Sequence, residues 1–292
     1  MGTLQLTRSS RTTLWGSQRF QTFFGKSLTY LLLVVGGATM LIPFIYMVST
    51  ALKTGPQVFL FPPVWIPSPI QWSNFGDAWS VIGVRTFVNT VFFAASIVFG
   101  QGLVTTMGGY GFARLKFPWR EQLFLAYLGT MMIPSQVTMI PAYLVVVKLG
   151  WQNSYQGMII PILASGAFGT FLFRQFFMQI PNELPEAAIM DGASHVTIFT
   201  RLFLPLSKPA LVAYGVITLL NAWNMFVWPL IIIQSEQLWV LTLALSILQG
   251  ELGSQMNVMM AGVTLSILPL LLLYIFGQRL FVEGVTMTGI KG

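Results

Sequence analysis

The chain has 292 residues, 55% of them hydrophobic and only 8% charged; a soluble globular protein carries about 25% charged residues, so lipid has to cover much of this surface. The absence of cysteine excludes disulfides, thiolate nucleophiles and cysteine metal sites, and a single histidine leaves no histidine cluster for a metal. The net charge of +7 invites nucleic acid as a partner, but its distribution along the chain argues against that.

Charge is scarce enough for its gaps to mark the membrane spans. Residues 1–27 form a basic leader. Within it, Leu14, Trp15, Phe20, Phe23 and Phe24 suit either an amphipathic segment on the inner membrane surface or a disordered leader. Phe20 to Ser27 reads FQTFFGKS. This ends like a phosphate-binding loop but lacks the first glycine and the preceding strand. Lys26 to Lys53 encloses 26 uncharged residues, enough to cross about 30 Å of hydrocarbon at about 1.5 Å per residue. Residues 28–52 are too long for the apolar region of a signal peptide and no small-residue cleavage motif follows, so this first span is expected to be retained. An external loop, 53–85, comes next. Its five prolines between residues 54 and 76 exclude a helix there, and Trp65 and Trp72 are candidate interface anchors.

Three further windows follow: Arg85 to Arg114 encloses 28 uncharged residues, Glu121 to Lys148 encloses 26, and Lys148 to Arg174 encloses 25. After a loop at 174–208, Lys208 to Glu236 encloses 27 and Glu251 to Arg279 encloses 27. The apolar run 237–250 is too short to span and is expected to lie against the protein or at the interface. Only helices satisfy every backbone group within one segment in lipid. The expected fold class is therefore an all-α integral membrane protein with six transmembrane helices. With the N-terminus inside, inner segments hold 12 of the 15 Lys and Arg residues and outer segments hold only Lys53, Arg85 and Lys148. This asymmetry places both termini in the cytoplasm and removes the argument for nucleic acid.

The inner loop 174–208 carries the most specific pattern. Asn182 is a helix N-cap candidate and Pro185 fits a first turn. Glu183 and Glu186 sit at the positive end of the helix dipole. Ala187, Ala188 and Gly192 remove bulk, and positions 188 and 192 share a helical face. Gly192 should end this helix, and Ser194 should cap a second one running to Pro205. Such a short capped helix, with acids at its start and Asp191 near its end, suits docking into another protein's groove. An amphipathic hairpin at the interface fits the composition equally.

Glu186-Ala187-Ala188, then Gly192, Leu202 and Leu204-Pro205, resembles the EAA loop of binding-protein-dependent ABC importer permeases, with Leu202 where that family favours Ile. Asn221-Ala222-Trp223-Asn224-Met225-Phe226-Val227-Trp228-Pro229-Leu230 and the ending Phe281 to Gly292 resemble the second permease of maltose-type carbohydrate importers. The resemblance implies a type I ABC importer permease fold with a cytoplasmic coupling helix. It implies coupling roles for Glu183, Glu186, Ala187, Ala188, Asp191 and Gly192. It implies a partner permease, two ATPase subunits and an external solute-binding protein. No cofactor is expected on this chain, ATP and Mg belonging to the ATPase subunits. The expected division is a cytoplasmic segment at 1–27, a transmembrane permease domain at 28–283 and a cytoplasmic tail at 284–292 that touches the ATPase.

Asn221, Asn224 and Trp228, at i, i+3 and i+7, would share one helical face. Polar groups at membrane depth face protein or water, so these residues are either a path for solute or glue between helices. Gln136 and Thr138, between Pro134 and Pro141, are further path candidates. An ion-coupled transporter would commonly need an intramembrane carboxylate, and the six windows contain none. Missing His, Cys and carboxylate clusters argue against a membrane enzyme. A permease of the same superfamily for glycerol phosphate, polyamine or peptide stays open.

Overall fold

The computed structural model describes residues 14–251 and 255–286, with side chains for 25–248 and 255–278. Residues 1–13 of the expected N-terminal leader therefore lie outside the described residues, as does most of the C-terminal tail. Among the described residues every regular element is helical.

The first span is α1, Leu14–Ala51; residues 14–24 continue that helix and form no separate segment. The Pro-rich loop follows, with a single four-residue helix, α2, Gly55–Val58, where no helix was expected. Helix α3, Ser73–Arg114, is 42 residues long and contains one non-helical residue, Gly83. Then come α4, Arg120–Gly129, α5, Ser135–Lys148, α6, Tyr155–Ala164, and α7, Ala167–Met178. The inner loop holds α8, Glu183–Met190, α9, His195–Ile198, and α10, Leu204–Leu206. The last elements are α11, Lys208–Trp223, α12, Val227–Ile232, α13, Leu241–Glu251, and α14, Met256–Thr286.

Three helices are long and apolar enough to cross a membrane alone: Gly25–Ala51, Ser73–Arg114 and Met256–Gln278. The number rises to six if each bent pair of shorter helices counts as one span. The third window bends by 102° between Met132 and Ser135, and the fourth by 45° at Ser165 and Gly166. In the fifth window α11 stops at Trp223, and α12 begins at Val227 after a gap of three residues. The third bent pair joins His195–Leu206 to Lys208–Trp223 at 77°, and at 16 residues α11 alone reaches about 24 Å. Of the prolines within the windows, Pro134 marks a break and Pro229 stands in the first turn of α12, just after another. Pro141, Pro161 and Pro269 lie inside helices.

Helix α3 is the hub, packing against α6, α7, α11, α13 and α14. Two apolar clusters form along it. The outer one includes Ala51, Phe93, Ile97, Met158, Trp223, Leu241 and Leu248; the run 237–250 joins it through α13. The inner one gathers Tyr110, Phe173, Phe177, Ile198, Phe199, Phe203 and Tyr214. Close approach of α3 and α7 depends on Gly109, where an added Cβ would stand 2.7 Å from the Phe173 Cβ and 2.9 Å from the Arg174 backbone nitrogen. Small residues permit such crossings in lipid, where apolar side chains gain little from leaving their surroundings. At the inner end one Arg174 nitrogen reaches both Glu121 carboxylate oxygens, at 2.8 and 2.7 Å, joining α7 to α4.

The outer loop is tied down by side chains that serve its backbone. Asn74 donates to the carbonyls of Ala51 and Lys53, both at 2.8 Å, and Ser49 donates to Trp65 at 2.6 Å. Lys53 lies within this closure. Its residue is fully buried, with the ammonium 4.4 Å from the Tyr46 ring centroid. Its place in the count of outer charges hid this burial.

Candidate functional site

The inner hairpin is seated on the inner apolar cluster, which positions it at the end of α3 and α7. Arg114 pins its entrance, donating to Asn182 Oδ1 and to the carbonyls of Ile180 and, at 2.6 Å, Phe177. Asn182 therefore does not act as the side-chain N-cap of α8; its φ and ψ are helical and its amide oxygen faces the guanidinium. Glu183 and Glu186 occupy the first turn and are exposed.

The end of α8 is a complete Schellman motif. Gly192 has φ +80°, its N–H bonds the Ile189 carbonyl at 2.9 Å, and the Ala193 N–H bonds the Ala188 carbonyl at 2.9 Å. The left-handed position is the one glycine occupies without strain. Ser194 caps the next helix, accepting from the Thr197 N–H at 3.2 Å. That helix passes through a π turn at Phe199–Phe203 before Leu204–Leu206.

The expected smooth face of Ala188 and Gly192 is divided: Gly192 is exposed with open space around it, whereas Ala188 turns inward. Ala188 and Ala193 pack against the inner cluster, because the turn after Met190 folds the chain back and closes the motif's own hydrophobic contact. Outward instead stand Ala187, Ile189 at 51% exposure and Met190 at 87%, with Asp191 beside them. An acid at the negative end of a helix is disfavoured, and Asp191 forms no ion pair among the described residues. The outer surface of α8 is thus an apolar knob flanked by acids.

A second site forms where the helices break. A cavity of about 450 Å³ is lined by Gln136, Thr138, Ser135, Ser165, Met225, Phe226 and Trp228, among others. An adjoining one of about 240 Å³ shares Ile162, Ser165 and Met225 with it and adds Gln101, Thr218 and Asn221. No charged residue lines either cavity. Volumes of several hundred Å³ suit small ligands. Gln136, Asn221 and Trp228 are therefore brought together, though not by one helical face, since the helix ends between Asn221 and Trp228. Asn224 is exposed, lines neither cavity and donates to its own helix at Leu220. Trp228 uses its indole N–H on the Met158 carbonyl at 3.1 Å.

Sequence reasoning missed Gln101. Its amide nitrogen donates to the carbonyls of Ile162 at 2.7 Å and Ser165 at 3.1 Å at the end of α6, the Ile162 carbonyl also accepting from the Ser165 N–H and hydroxyl. Tyr214 donates to its oxygen at 3.3 Å. A lone glutamine deep in an uncharged window was the available signal, by the same rule that selected Asn221. Asn89 does similar work outside, bridging Gln237 and Trp239 carbonyls at 2.9 Å and accepting from Tyr155 at 2.7 Å.

An all-helical span set with breaks at an uncharged cavity, and a hairpin at one end of it, fits a transport protein of the permease class. The chain belongs to the family of binding-protein-dependent transport system inner membrane components, which it matches over residues 105–286. It is 35% identical over 266 residues to the sn-glycerol-3-phosphate transport system permease protein UgpE of Pectobacterium atrosepticum, covering 88% of this chain and 94% of that one. It is 36% identical over 212 residues to the arabinooligosaccharides transport system permease protein AraQ of Bacillus subtilis, covering 73% and 71%. The fold is similar to that of a bacterial ABC transporter involved in import of the acidic polysaccharide alginate, with a TM-score of 0.74 and 24% identity over 95% of this chain and 99% of that one.

Proposed function

We propose that this chain is the permease subunit of an ATP-driven importer that carries an uncharged carbohydrate or polyol derivative into the cytoplasm. The carrying observation is the uncharged cavity at the broken helices, where Gln136, Ser165 and Asn221 offer hydrogen bonds to hydroxyls and Trp228 and Phe226 offer apolar rings. The relatives named above for arabinooligosaccharides support this class. Those named for glycerol 3-phosphate favour a second reading, but a phosphate dianion inside the membrane needs a cation, which would then come from another subunit.

In this reading the chain pairs with a second permease and rests on two ATPase subunits that hold ATP and Mg, while an external binding protein delivers solute. Both termini are cytoplasmic. The hairpin with Glu183, Glu186, Ala187, Asp191 and Gly192 docks on an ATPase subunit through the Met190 knob, with Ala188 fixing the hairpin from within. Closure of the ATPase pair pulls the hairpin and reorients the spans; the permease makes and breaks no covalent bond.

The test is uptake by the reconstituted transporter. Trp228→Ala and Gln136→Ala should raise the KM for a neutral oligosaccharide about tenfold, as expected for losing one or two contacts near 1.4 kcal/mol in total, while Asn224→Ala stays near wild type. Preferred uptake of glycerol 3-phosphate, or equal behaviour of all three variants, overturns the reading.

A further inference from the structure

A third cavity, of about 370 Å³, lies at the inner end of α3, between the start of α4 and the hairpin. Its lining includes Arg114, Lys116, Arg120, His195, Tyr110 and Glu186. Three cations thus face one carboxylate. Arg114 spends its hydrogen bonds on neutral oxygens, two carbonyls and the Asn182 amide, so its charge stays uncompensated within the described chain. Arg120 leans 3.1 Å from Glu121, but that carboxylate is also held by Arg174 through both of its oxygens. Lys116 is exposed and forms no ion pair among the described residues.

The connection between α3 and α4 that carries Lys116 also carries exposed aromatic side chains. Phe117 is 38% exposed and Trp119 is 72% exposed, on the short connection between α3 and α4. Trp119 is held at φ +62°, a left-handed backbone that a bulky residue adopts only when its surroundings impose it. Aromatic residues of this kind settle at the headgroup level of a bilayer. Basic pockets between spans on the cytoplasmic side are where anionic headgroups bind.

We infer that this pocket holds the phosphodiester headgroup of an anionic phospholipid of the inner leaflet, gripped by Lys116 and Arg120 with Arg114 behind them. Phe117 and Trp119 stand beside its acyl chains. The headgroup then also lies against the first turn of α8, with its phosphate kept to the α3–α4 side by repulsion from Glu186. The inference rests on the inward placement of the 115–119 connection and is independent of which solute is carried.

The assembled transporter should be purified in mild detergent and its retained phosphatidylglycerol counted by native mass spectrometry, then titrated with phosphatidylglycerol in phosphatidylethanolamine nanodiscs. Each basic residue near an anionic surface contributes a factor of about five, so Lys116→Gln with Arg120→Gln should weaken retention by about twenty-five-fold. Arg114 is left unchanged because it also anchors the hairpin. Arg85→Gln, on the opposite side of the membrane, should retain the lipid as wild type does. Unchanged retention in the double variant overturns the inference, as does an equal loss in Arg85→Gln. Displacement of the lipid by inorganic phosphate at comparable concentration would make this a site for free anions and also overturn it. Lost ATPase recovery with lipid retained would mark the pocket as a face for a protein acid, with the same consequence.

Discussion

Gly192 holds its φ of +80° with nothing within 4 Å of where a Cβ would stand, so substitutions there act through the backbone and through the docking partner, not through crowding inside the chain. An L residue in the left-handed region costs about 1–2 kcal/mol, and a β-branched one more. Gly192→Val should therefore lose most ATPase recovery and solute uptake while membrane levels stay normal. Gly192→Ala should be much milder. Asp tolerates this backbone, so Gly192→Asp isolates charge: an uncompensated carboxylate buried in an interface costs several kcal/mol. Co-purification of the ATPase, measured beside uptake, checks all three; wild-type behaviour of Gly192→Asp removes the hairpin from the coupling role. The neighbouring positions separate two kinds of failure. Met190→Asp alters an 87% exposed side chain and should weaken ATPase recovery with the permease equally stable. Ala188→Leu pushes into the inner cluster, where overpacking costs about 1–3 kcal/mol, and should lower the permease's own melting temperature. The turn at Gly192 was readable because only glycine fits it readily. The inward direction of Ala188 was not, since it depends on how the chain folds back after Met190.

At the scale of helices, the α3–α7 crossing sets the spacing of the inner half. Gly109→Val places methyl groups where a Cβ alone would already stand 2.7 Å from the Phe173 Cβ, and backbone has to move. The expected outcome is reduced yield and thermal stability of the assembled complex, measured by size-exclusion chromatography after heating, with Gly111→Ala as the tolerated control because open space surrounds it. The spans themselves were legible as gaps between charges, since a charge at membrane depth is expensive. Their breaks were less so. Pro134 announces one, whereas the break at Ser165 and Gly166 is supported from a different helix, by Gln101 donating to the Ile162 and Ser165 carbonyls. Similarly, Asn221 to Trp228 reads as a continuous helical face, yet the helix ends at Trp223. Long-range partners decide such breaks, and local spacing does not contain them.

At the scale of the molecule, the expected orientation rests on 12 basic residues against 3, and the lack of natural cysteine makes it simple to test. A single Cys at Phe61, which is 94% exposed in the outer loop, should react with an impermeant thiol reagent in intact cells, and one at Lys116 should not. The opposite pattern would turn the protein over and take the hairpin away from any cytoplasmic ATPase. The two apolar clusters lie at opposite ends of α3, and the helix between Gly83 and Arg114 contains no further non-helical residue. That stretch is a rod of about 46 Å. Pivoting about its outer end by only about six degrees sweeps its inner end sideways by about 5 Å, roughly one turn of helix. A displacement of one side-chain layer at the hairpin therefore needs only a small rotation of this rod, one that would leave the closure around Asn74 and Lys53 nearly in place.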